Sequence, residues 1–173
     1  MPMLKGADEH AKTELKRTDL NVLERFLYEK ASDEVELLIK HYTQIENQVK
    51  TGKPVMTFFA ATPAPQADWR SEYDKLLFQM VEENVRRGDY FLVELMRQFN
   101  TYQTTKDAAL KTRMINEVDF TAPLIKRGIE MAETQLKRTD LNHVERYMYE
   151  KIRDEAMILQ KHFTALEAQL KKA

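Results

Sequence analysis

Cysteine is absent from the 173 residues, which rules out disulfides and thiolate chemistry and leaves the redox compartment open. Only four glycines and five prolines punctuate the chain, so long uninterrupted helices are expected. No stretch approaches the ~18 consecutive apolar residues of a transmembrane helix. The opening MPMLKGADEH lacks the apolar centre of a signal peptide, and the expected location is cytoplasmic. Neither charge sign dominates. The net charge is −1 with both signs mixed along every segment, so the basic face of a nucleic-acid footprint is missing. Also missing are a phosphate-binding glycine loop, a nucleophile elbow and a recognisable catalytic serine. A non-enzymatic protein without a cofactor is the expectation.

What the chain does have is one stretch written twice. Residues 13–50 return as 134–171 without a gap, and 22 of the 38 paired positions are identical. Each copy opens on the same turn-like hexapeptide KRTDLN. Its Thr, Asp and Asn compete with helix by bonding nearby backbone. Asn21–Glu24 and Asn142–Glu145 have capping-box spacing, so a helix starts or kinks there in both copies.

Downstream of the hexapeptide, apolar residues recur with the period of a straight helix. The first copy reads Leu20, Leu23, Leu27, Ala31, Val35, Leu38, Tyr42, Ile45 and Val49. The second reads Leu141, Val144, Met148, Ile152, Ala156, Leu159, Phe163, Leu166 and Leu170. Both stripes are expected to face a core, with Leu38 and Leu159 at equivalent places. Thr51-Gly52-Lys53-Pro54 stops the first helix, and residues 51–67 form the long loop. A second helix is expected on Trp69, Tyr73, Leu76, Met80, Asn84, Phe91, Leu95, Phe99 and Tyr102, capped by Asp68 and kinked at Gly88-Asp89. A third is expected to end at Thr121-Ala122-Pro123, and a fourth to run from about 123 to 171.

The expected fold is therefore all-α: an elongated bundle of three to four long helices spanning residues 1–173 as one domain, with a duplicated helix at its two ends. Two topologies fit. In an antiparallel four-helix bundle the two copies are related by a pseudo-twofold axis. In a spectrin-like array the copies are displaced along the axis, and the chain holds about one and a half units.

The duplicated face suggests a scaffold or protein-binding module that pairs with a protein partner, most simply a second copy of itself. Candidate contact residues are Phe26, Tyr28, Tyr147 and Tyr149 in the copies, and Phe58 and Phe59 in the apolar middle of the loop. The alternative is a divalent metal held by Glu29, Asp33, Glu150, Asp154, His41 and His162. Carboxylates at i and i+4 share a helix face and repel unless something cationic joins them. The segment EKIRDEA resembles the acidic-helix motif of the phosphate-uptake regulator family, which implies metal on such pairs. Helical angles put Glu29 and Asp33 opposite the core stripe instead, on a solvated face balanced by Arg25 and Arg146. Arg138-x4-His143 is similar to the Arg-x4–6-His pattern of the all-helical HEPN ribonucleases, which would imply nuclease chemistry. The first copy has Val22 where that histidine stands.

If the copies pack antiparallel, Glu34 should approach His162 and Glu155 should approach His41. Carboxylates so placed should raise both histidine pKa values.

Overall fold

The structure is a computed structural model that describes residues 2–51 and 71–172. Five helices occur among them: α1 (Pro2–Glu14), α2 (Val22–Lys50), α3 (Glu72–Thr105), α4 (Ala108–Leu136) and α5 (His143–Lys172). Helices take up 89% of this part and no strand occurs in it, so the all-α bundle expected from the sequence is what forms. No described helix is long and apolar enough to cross a membrane.

The repeated element is a hairpin rather than a helix. KRTDLN forms the turn between α1 and α2, and again between α4 and α5. In each turn an asparagine side chain accepts the backbone N–H of the glutamate three residues on, at 2.9 Å, for Asn21 with Glu24 and for Asn142 with Glu145. The glutamate accepts the asparagine's own N–H in return, at 2.9 and 2.8 Å. Two orphan donors are thereby satisfied.

The other end of the turn is closed by an arginine. Arg25 donates to the carbonyls of Leu15 (3.2 Å) and Arg17 (2.9 Å). Arg146 repeats this on Leu136 (3.1 Å) and Arg138 (2.9 Å). Arg25 and Arg146 thus clamp the end of the preceding helix, and do not sit on a solvated face to balance acids. Because the turn breaks the chain at 137–142, no single helix runs from 123 to 171.

Pro123 does not end a helix as the sequence suggested. α4 continues through Pro123, which is exposed, so the carbonyl its ring leaves unbonded is on the water side. α3 continues through Gly88, where a Cβ would stand only 2.9 Å from Ile125 Cγ1. Gly88 therefore gives room for Ile125 of α4 against the α3 backbone. The break that does occur falls at Lys106, in the left-handed region at φ 53°, followed by Asp107 as N-cap of α4.

α3, α4 and α5 form an antiparallel three-helix bundle, with α2 laid across α3 and α5 and α1 packed on α2 alone among the described helices. Both anticipated topologies contribute. α2 runs antiparallel to α5, as in the four-helix bundle. The three-helix unit is α3–α5, and the α1–α2 hairpin repeats its last two helices.

Burial separates the two copies. In α5 the expected stripe is core: Ile152, Ala156, Leu159, Phe163, Leu166 and Leu170 are all buried. In α2 it is not. Leu27, Leu38 and Val49 are exposed, and the buried positions are Phe26, Ser32, Leu37 and His41. Each helix has three neighbours, but α4 packs extensively along α5, whereas α2 meets α3 and α5 more sparsely, so the same stripe finds no full partner. The start of α3 is rotated in the same way. Tyr73, Leu76 and Met80 are exposed, because Asp74 takes a core-side position and pairs with Arg138 at 2.6 Å. Asp68, Trp69 and nearly all of loop 51–67, including Phe58 and Phe59, lie outside the described residues.

Candidate functional site: the α2–α5 seam and its cavity

Where α2 crosses α5, the repeat meets itself. His162 Nε2 lies 2.9 Å from Asp33 Oδ2, and His41 Nε2 lies 3.8 Å from Asp154 Oδ2. Asp33 and Asp154 are repeat equivalents, as are His41 and His162, so these are crossed pairs about a pseudo-twofold axis. Lysines follow the same symmetry: Lys161 bonds Asp33 at 2.6 Å and Lys40 bonds Asp154. Aromatic rings do so too. Phe26 meets His162 and Tyr147 meets His41, each edge-on with centroids 5.2 Å apart.

The pairing was expected, with the carboxylate one residue off. Glu34 and Glu155 instead take lysines on their own helices, Lys30 and Lys151. The expected rise in histidine pKa is overturned. Burial pushes both imidazoles below their usual value, and Asp154 and Asp33 offset this only in part.

The symmetry fails at one point. Position 32 is serine and bonds Asp8 of α1, whereas its equivalent Arg153 bonds Asp154 at 2.5 and 2.8 Å. Burial alone would raise the Asp154 carboxyl, yet the bonds from Lys40 and Arg153 hold it below the usual range. Asp154 is thus saturated with cations. Both ring nitrogens of His41 lack a hydrogen-bond partner among the described residues, although the residue is only 3% exposed.

Beside His41 the seam opens into a cavity of about 720 Å³ between α2, α3 and α5. Leu37, Leu38, Tyr42 and Ile45 of α2 line one wall, and Phe78 and Val85 of α3 line another. Tyr147, Met148, Ile152, Ile158 and Leu159 of α5 complete it. The lining is mostly apolar. Four carboxylates (Glu34, Glu82, Asp89, Glu155) and two cations (Arg86, Lys151) contribute its charge. Lys30 reaches across from α2 to Asp89 at 2.8 Å and ties the α3 wall to α2.

The residues singled out from the sequence fall into several places. Tyr149 is wholly buried against Phe78, with centroids 5.6 Å apart, and Phe26 is buried on His162, so both are interior rather than contact surface. Tyr147 is half-buried in the cavity wall, and half-buried Tyr28 meets the edge of His10. Phe26, Tyr147, Leu37 and Ile158 all belong to the seam.

Of the proposed metal ligands, Asp33, Asp154, His41 and His162 come together in the two crossed pairs, while Glu29 is exposed and Glu150 half-buried. No group of three or more His, Asp or Glu side chains placed to hold a metal ion occurs among the described residues. Arg138 of the nuclease-like pattern is engaged by Asp74 and Asp140. Ser32 and Arg153 escaped notice in the sequence, and the signal that marks them is their exchange within the repeat.

A family model described as Mite allergen Blo t 5 matches residues 1–54 and 59–173. The first span holds the α1–α2 hairpin and the second holds the three-helix unit. Similar proteins include mite allergen Blo t 5 of Blomia tropicalis, 32% identical over 104 residues, or 60% of this chain and 78% of that protein. Mite allergen Lep d 5 of Lepidoglyphus destructor is 31% identical over 104 residues, covering 60% of this chain and 94% of that protein. Mite allergen Der p 5 of Dermatophagoides pteronyssinus is 26% identical over 128 residues, 69% of this chain and 97% of that protein.

Proposed function

The chain belongs to the mite allergen Blo t 5 family, and for this member we propose a non-enzymatic binding role, the cavity between α2, α3 and α5 taking an apolar small molecule. One observation carries this. Tyr42 and Ile45 of α2 line the cavity, while their counterparts Phe163 and Leu166 do not and are each 1% exposed in the core. A stripe that one copy spends on core packing is left, in the other, facing empty space of ligand size. Apolar surface held in that way gains free energy when an apolar guest displaces water.

The test is fluorescence of N-phenyl-1-naphthylamine, a neutral apolar probe. The protein should enhance its emission saturably with one site per chain. Leu38→Trp and Ile158→Trp, which fill the cavity from partly exposed wall positions, should each weaken binding severalfold. Unchanged binding in both variants would put the probe elsewhere and end the proposal.

A second role, self-association, is favoured by one observation: Tyr73, Leu76 and Met80 form an exposed apolar row on the outer face of α3, at 69%, 57% and 55% exposure. Sedimentation equilibrium should then show a dimer that Leu76→Glu dissociates. A monomer at high micromolar concentration would refute it.

A further inference from the structure

Resting on the cavity reading above, we propose that His41 is the polar anchor of that cavity and that the guest is a neutral amphiphile bearing a hydroxyl group, such as a long-chain alcohol. His41 lines the cavity, is 3% exposed, and has no hydrogen-bond partner on either ring nitrogen among the described residues. A buried polar group left without a partner is costly, and a guest that supplies one is bound more tightly by the cost relieved.

The pseudo-twofold axis provides an internal control. His162 occupies the equivalent place, is similarly buried, is satisfied by Asp33 at 2.9 Å, and does not line this cavity. Only the histidine at the cavity is left wanting a partner. The cause is local: Arg153 and Lys40 draw Asp154 away, leaving it 3.8 Å from His41.

The ring's nitrogens carry no accessible surface, so its carbons face the cavity. A half-turn about χ2, whose preferences are roughly two-fold, exchanges nitrogen and carbon edges and presents a nitrogen to the guest. A hydroxyl both donates and accepts, so it serves either neutral tautomer.

Charge selects the head group. Four carboxylates and two cations line the cavity, and Asp154 stands behind the histidine. A fatty carboxylate would find both lining cations already engaged, Arg86 by Glu83 and Lys151 by Glu155. Among the carboxylates, Glu34 and Asp89 already share Lys30 and Glu155 holds Lys151, so little of the negative field is left over to bind an ammonium head. A neutral head gains the histidine's hydrogen bond without meeting either difficulty.

The experiment displaces bound N-phenyl-1-naphthylamine at pH 7.5 with dodecanol, dodecanoate or dodecylammonium, which share one chain length. Dodecanol should compete at about tenfold lower concentration than either ion, the worth of about one hydrogen bond. In His41→Leu that advantage should vanish while the probe itself still binds. The His41 ring signal in a proton–carbon NMR spectrum should shift on adding dodecanol, and the His162 signal should stay in place. Preference for either charged amphiphile, or dodecanol affinity unchanged in His41→Leu, overturns the anchor and leaves the cavity role standing. Failure of the wild-type protein to bind the probe at all overturns both.

Discussion

His162 on α5 reaches Asp33 on α2 at 2.9 Å, and the repeat-related His41 and Asp154 face each other the opposite way across the same seam at 3.8 Å. One sequence, used twice in antiparallel, meets itself and generates both contacts. The seam therefore holds two buried imidazoles.

This makes the fold acid-sensitive near neutrality. Burial lowers both histidine pKa values in the folded protein, against an unfolded value near 6.5. The unfolded chain then binds protons more readily, so stability rises with pH across this window. The contribution is complete above about 6.5 and is lost as pH falls below it toward the folded values. Urea midpoints should drop between about pH 7 and pH 5, and a His41→Gln/His162→Gln variant should lose most of that slope. A flat profile in the wild type would contradict the burial assigned to these rings. Asp154 acts in a separate, lower window: its depressed carboxyl stabilises above about pH 4, and that is lost as pH falls through the folded value.

Equivalent leucines should not be equivalent in energy. Leu159 is 4% exposed and Leu38 is 39% exposed. Leu159→Ala should cost roughly 2–5 kcal/mol in denaturant unfolding, as deletions in packed cores do. Leu38→Ala should cost less than about 1 kcal/mol, because much of its surface is already wet. Equal losses would mean that α2 is packed as tightly as α5.

Two buried glycines should respond with opposite signs. A Cβ at Gly88 would meet Ile125 Cγ1 at 2.9 Å, whereas one at Gly128 would meet Val85 Cγ2 at an ordinary 3.7 Å. Gly88→Ala forces Ile125 or the helices to shift and should destabilise by about 1–3 kcal/mol. Gly128→Ala should stabilise by about 0.5–1 kcal/mol through helix propensity. Thermal melts of the two single variants suffice to check this.

The arginine clamps give a further comparison. Arg146→Lys keeps the charge but loses the forked geometry that reaches two carbonyls at once. It should cost about 1–2 kcal/mol. Arg25→Lys, in the hairpin that packs at the edge, should be milder in global unfolding and should show mainly as faster amide exchange in α1.

The chain's all-helical character, the repeat and the caps of its turns were legible in the sequence, because each depends on interactions within a few residues. Asn21–Glu24 and Asn142–Glu145 close whatever surrounds them. The antiparallel meeting of the copies was one of two arrangements the repeat left open, and the carboxylate nearest each histidine was misplaced by one residue. One residue is 100° of helix, and which side chain points at a neighbour depends on how the helix is rotated against it. The stripe illustrates the limit. Leu38 and Leu159 sit in matching local sequence, and nothing near either distinguishes the exposed leucine from the buried one. What decides is how closely the neighbouring helices cover them: α4 packs extensively along α5, while α2 touches α3 and α5 more sparsely and leaves about 720 Å³ unfilled beside them. Local bonding is written residue by residue and can be read from the chain. Enclosure belongs to the assembled bundle, so the cavity and its unsatisfied histidine exist only in the tertiary structure.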